Sequence, residues 1–236
     1  MKANRIEILK INVAAAIFCA LAYASEYVFH VKVMFLTFDI KDSIIAIAAM
    51  IFGPAYAVMM GLAVSLLEMF TISSTGLYGF VMNVLSTVTF TSIAALIYRR
   101  IKTIYGAVAG LVSGALAMTA IMIIANILIT PYYMVVGRSE VVALIPKLLL
   151  PFNLLKAIFN ASISMLLYKH IVTALRRARI ISKREASNGG NAGEDAIKAR
   201  ASTAKRTVFV TVTALLVGAV SMLILIFGLN ANIEWF

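Results

Sequence analysis

The sequence predicts an all-α membrane protein, and three observations carry that expectation: its apolar composition, the length of its apolar runs and the placement of its basic residues. Of 236 residues, 62% are hydrophobic and 13% charged, with a mean hydropathy of +0.98. That leaves too little polar surface to solvate an ordinary soluble domain. A helix needs about 20 apolar residues to cross the hydrocarbon core, and the apolar runs divide into seven candidate spans at 8–28, 43–52, 55–72, 78–98, 105–130, 147–171 and 207–227. The net charge of +11 does not indicate nucleic acid, because the basic residues follow the membrane.

The first run is too long for a cleavable signal peptide and is expected to be retained as a span. Within it Ala16, Ala20 and Ala24 recur every fourth residue, a smooth strip on which a partner or a neighbouring helix can approach closely. The second run is too short to span alone and ends at Gly53-Pro54. Proline removes a backbone donor and glycine readily turns, so a tight cytoplasmic bend between two inclined helices is expected; one kinked helix over 46–70 is the alternative. Asp39 and Asp42, beside a helix start, suit capping and dipole roles better than acid-base chemistry. In the third run Glu68 is expected near the outer interface as a helix-end charge, rather than paired inside the bundle.

The fourth, fifth and sixth runs each carry an amide at a similar depth. Asn83 lies near Ser86 and Thr87, Asn126 is four residues from Thr130, and Asn153, Lys156, Asn160 and Ser164 recur at spacings of three and four, on one helix face. A lysine at that depth costs about 2.5–3.5 kcal/mol on insertion scales and needs a partner or a watery cavity. No carboxylate in the spans is clearly placed to meet Lys156, so it is expected to act as a single donor in a mostly neutral amide pocket. Three amides and one cation suit an uncharged, flat heterocycle better than a phosphate or dicarboxylate, whereas a cationic vitamin would call on Glu26 and Glu68. Amides that merely tie helices together are the structural alternative.

Residues 174–206 are basic and polar, with Ser187-Asn-Gly-Gly-Asn-Ala-Gly193, and read as a cytoplasmic linker that cannot bury an apolar core. The span after it is an appendage, with Trp235 and Phe236 suited to the outer interface. With the N-terminus inside, sixteen lysines and arginines fall on inner segments and only Lys32, Lys41, Arg138 and Lys147 on outer ones, as the positive-inside rule requires. The C-terminus is then extracellular. Cys19 is the single cysteine, and His30 and His170 fall at opposite faces, so no metal site is expected. No Walker A string occurs, and any ATP hydrolysis must come from another chain.

Five strings together carry a resemblance: Phe35-Leu-Thr-Phe-Asp-Ile-Lys-Asp42, Ile51-Phe-Gly-Pro54, Gly79-Phe-Val-Met-Asn83, Asn126-Ile-Leu-Ile-Thr-Pro131 and Leu150-Pro-Phe-Asn-Leu-Leu-Lys156. In order over residues 1–173, they resemble the riboflavin-specific S component of energy-coupling factor (ECF) transporters. The resemblance implies a six-helix bundle in a bacterial cytoplasmic membrane, to which the seventh helix is an addition. It implies a non-enzymatic subunit without cofactor that captures riboflavin outside and docks on a coupling transmembrane subunit served by two ATPases. By motif it assigns Asn153 and Lys156 to the flavin ring, with Asn126 and Asn83 as neighbours. It makes the segment 34–39 an outer gate, with Phe38 covering the ring and Asp39 at the site. It also makes Ala16, Ala20 and Ala24 the docking strip. Family members often have a basic residue where Thr37 stands and an acidic one where Phe80 stands, two departures at the rim.

Overall fold

A computed structural model describes residues 2–33, 35–177 and Thr213. The expected span at 207–227, Thr213 apart, and nearly all of the linker lie outside the described residues. Helix α1 runs over Lys2–Val28 and is followed by an antiparallel hairpin of β1 (His30–Val33) and β2 (Leu36–Asp39), registered His30 to Asp39 and Val33 to Leu36. Then come α2 (Lys41–Phe52), α3 (Pro54–Thr71), α4 (Gly76–Arg100) and α5 (Ile104–Met134). The last rod is α6 (Arg138–Leu144), a π-helical turn at Ile145–Leu149, and α7 (Leu150–Arg177). Counting that rod once gives six helices among the described residues.

Five of these helices are long and apolar enough to cross a membrane. The outward side chains agree: Ile6, Leu9, Val13, Ile17 and Leu21 on α1 are more than half exposed, a continuous apolar face of the kind that marks a membrane or partner surface. This is a multi-pass membrane protein. The sixth helix, α2, has 12 residues and is buried at the centre, with Ile45, Ala46, Ile47, Ala48 and Ala49 all at 0% exposure. Gly53, at φ 111°, breaks α2 from α3 in a conformation that other residues rarely adopt. Pro54 starts α3 in the first turn, where its missing N–H costs nothing. The two-helix reading of 43–72 holds, and the kinked single helix does not.

Small residues set the closest helix contact. A Cβ on Gly110 would lie 2.7 Å from the Ala94 carbonyl oxygen, and one on Gly114 would lie 2.6 Å from that of Phe90. Only glycine lets α5 approach the α4 backbone so closely. The apolar core around this contact includes Phe90, Leu111, Met118 and Ala157. On α1, Ala14, Ala15 and Ala22 are buried, while Ala16, Ala20 and Ala24 face outward.

The expected gate segment 34–39 is largely the second strand of the hairpin. Its strands have four residues each, too few for alternation to stand out against apolar helical flanks. A second aromatic and aliphatic cluster, including Val33, Leu36, Phe38, Val141, Leu149 and Phe152, joins it to the α6–α7 rod.

Candidate functional site

The polar face of α7 is a seam first. Its Asn160 reaches residues 117 and 121 positions away: Oδ1 accepts from the Ser43 backbone N–H at 2.9 Å and from the Ser43 hydroxyl at 2.6 Å, and Nδ2 donates to the Asp39 carbonyl at 2.9 Å. The first N–H groups of α2 have no partner within that helix, and Asn160 supplies one from outside. Ser164 Oγ lies 3.2 Å from the Ser43 carbonyl oxygen and 2.8 Å from that of Asn160. These two residues tie helices together, the structural alternative left open by the sequence.

Lys156 corrects the expectation of a neutral amide pocket. Its Nζ donates to Asp39 Oδ2 at 2.6 Å and to the Thr37 carbonyl at 3.1 Å. The partnering carboxylate comes from β2 rather than from a span, and the pair is 117 residues apart in sequence. Burial raises the Asp39 carboxyl, but the charges of Lys156 and Lys41 more than reverse this and hold it below its ordinary value. Asp39 is therefore an ion-pair partner and not a cap; the residue before α2 is Ile40, with no side-chain capping bond. Asp42 accepts from the Thr87 hydroxyl at 2.5 Å, which fastens α2 to α4.

A second buried charge group was missed. Lys41, expected as an outer-loop charge, is 1% exposed, with its Nζ 2.6 Å from Glu68 Oε2 and 3.9 Å from both Glu26 Oε1 and Asp39 Oδ2. Glu68, expected at the interface, is 2% exposed and also accepts from Asn83 Nδ2 at 2.8 Å. Glu26 Oε2 lies 3.1 Å from His30 Nδ1. The 2.6 Å hydrogen bond between Lys41 and Glu68 offsets part of the cost of burying those two charges. The signal for Glu68 was available: it is the sole charge in the 18 residues of α3, the same oddity that singles out Lys156 in its span.

The two charge groups border one cavity of about 100 Å³. Asn83, Asn153 and Lys156 line it, as do Glu26, His30, Lys41 and Glu68. Apolar lining comes from Met82, Met122, Phe35, Phe152 and Tyr133, and Leu36 and Thr37 of the hairpin also line it. Asn153 Nδ2 donates back to the Leu149 carbonyl at 2.7 Å, which fixes the amide plane at the cavity wall. Three expected site residues stand apart from this lining: Asn126, Phe38, and Asp39, which pairs with Lys156. Asn126 donates to the Met122 carbonyl at 2.7 Å and accepts from Thr130 at 2.9 Å, so its amide is used within α5. Phe38 packs into the hairpin cluster, with ring centroids 4.9 Å from Phe159 and 6.2 Å from Phe29 and Phe152.

The family described as ECF transporter, substrate-specific component, matches residues 10–168, more than half of the 236 residues. The chain belongs to this family. S components are the substrate-binding subunits of transporters, not enzymes. The solved S component of a bacterial ECF transporter is similar in structure, with a TM-score of 0.60 and 22% identity over 74% of this chain and 99% of that one. At that identity the likeness establishes the S-component fold. No curated protein matches the chain.

Proposed function

We propose that this S component captures riboflavin from outside a bacterial cytoplasmic membrane and releases it inside when docked on a coupling transmembrane subunit and two ATPases. One observation carries the reading: Asn153 and Lys156 of the Pro-Phe-Asn-x-x-Lys string line one cavity together with Asn83, Met82, Met122, Phe35 and Phe152. Amide edges facing apolar and aromatic surfaces suit a flat ring with a polar rim, and such mixed walls give both affinity and orientation. The cavity is smaller than the roughly 300–1,000 Å³ usual for sites that enclose a ligand of this size. Entry of a flavin therefore requires a wall to move, and the β1–β2 hairpin, joined to α7 through Lys156 and Asn160, is the gate in this reading. The outward strip of Ala16, Ala20 and Ala24 is the proposed docking face. The N-terminus lies inside, by the distribution of basic residues.

The visible spectrum and fluorescence of the purified protein test this. A co-purifying yellow chromophore, or quenching of added riboflavin with submicromolar affinity, supports the reading; a colourless protein that leaves riboflavin fluorescence unchanged refutes it. The buried pair Glu26 and Glu68 in the cavity wall favours a second reading, an S component for a cationic vitamin, and thiamine in the same assay distinguishes the two.

A further inference from the structure

Glu68 does more than balance Lys41. Its Oε2 already serves Lys41 and Asn83 at 2.6 and 2.8 Å, yet Oε1 of the same carboxylate is buried with no hydrogen-bond partner among the described residues. Across the same cavity wall Glu26 Oε1 is likewise without a hydrogen bond, its nearest lysine nitrogen 3.9 Å away. A buried, unsatisfied carboxylate oxygen is expensive and calls for a donor. Both residues are 2% exposed and line the cavity, so the donor that reaches these oxygens comes from its occupant. Asn153 and Lys156 line the same cavity from α7, and Lys156 brings donors where Glu26 and Glu68 bring acceptors. The cavity thus takes unsatisfied acceptors from α1 and α3 and a cationic donor from α7.

We infer that Glu68, assisted by Glu26, is a specificity-determining acceptor that binds the hydroxyl- or ammonium-bearing end of the substrate, while Asn153 and Lys156 address its carbonyl and amide edge. The assignment rests on the cavity being the substrate site, as proposed above. For a flavin, that end is the hydroxylated side chain. A ligand with the same ring but no hydroxyls lacks the group that Glu68 reads.

Binding of riboflavin and of lumiflavin, which lacks the hydroxylated chain, to the purified full chain and to Glu68→Gln tests the inference. The amide keeps the shape but replaces one acceptor oxygen with a donor. Riboflavin affinity is expected to fall about tenfold or more, the loss of one buried hydrogen bond, with lumiflavin affinity unchanged. Equal losses for both ligands, or none for riboflavin, overturn the assignment. Glu26→Gln repeats the comparison from a different helix and decides the matter if Glu68→Gln does not fold. If the parent binds neither flavin, the riboflavin reading fails separately. Thiamine is then the probe: binding that Glu68→Gln abolishes retains the acceptor role, and no binding by the parent overturns it as well.

Discussion

Between α4 and α5, Gly110 and Gly114 bring two backbones within side-chain distance. Between α7 and the segment 37–43, a row of polar links runs beside the Phe38 ring contacts with Phe152 and Phe159: Lys156 to Asp39 and Thr37, Asn160 to Asp39 and Ser43, Ser164 to Ser43. The first contact relies on shape, where lipid offers no hydrophobic drive and close packing must replace it. The second relies on donors matched to acceptors in a dry place, where each unmet group is costly. A contact of the first kind has one geometry. The second kind can exchange partners, and the cavity adjoins it through Lys156.

The comparison breaks hardest at Asp39. Removing it by Asp39→Ala leaves Lys156 buried without its carboxylate and is expected to cost about 3–5 kcal/mol, read as a large fall in the thermal midpoint in detergent. Because the Asp39 carboxyl is held below its ordinary value, its share of stability is complete above about pH 3.9 and disappears only as pH falls through the lower folded value. Asp39→Asn should flatten that acid limb of the stability profile. On the apolar side, Gly114→Leu forces α4 and α5 apart and should cost about 1–3 kcal/mol with no sensitivity to pH; an unchanged midpoint would refute the close-packing account. Asn160→Ala, which removes the tie to Ser43, is expected to cost about 1–2 kcal/mol. Asn153→Ala should change the midpoint least while weakening substrate binding by about 1–3 kcal/mol. A variant that binds as the parent does would remove Asn153 from the site.

Helix identity was legible in the sequence because apolar length is a local property. The Gly53-Pro54 break was legible because it follows from two adjacent residues. The polar partners were not, for a physical reason: Lys156 meets Asp39 across 117 residues and Lys41 meets Glu68 across 27, and no local pattern records either approach. The stripe of Asn153, Lys156, Asn160 and Ser164 was correctly seen as one face. Its division into a cavity-lining part and a fastening part required the position of β2. Sequence does not distinguish an amide bonded within its own helix, as Asn126 is to Met122 and Thr130, from one that faces a cavity.

Lys156 Nζ belongs both to the cavity wall and to the attachment of the hairpin through Thr37 and Asp39. In the proposed function one atom thus enters two equilibria, substrate occupancy and hairpin position, and linkage makes their coupling reciprocal. A substrate that draws the ammonium toward itself loosens the hairpin, and any partner that pins the hairpin alters substrate affinity by the same factor. Amide exchange across 31–39, measured with and without bound substrate, reads that coupling directly; protection that does not change on binding would show the two equilibria to be independent.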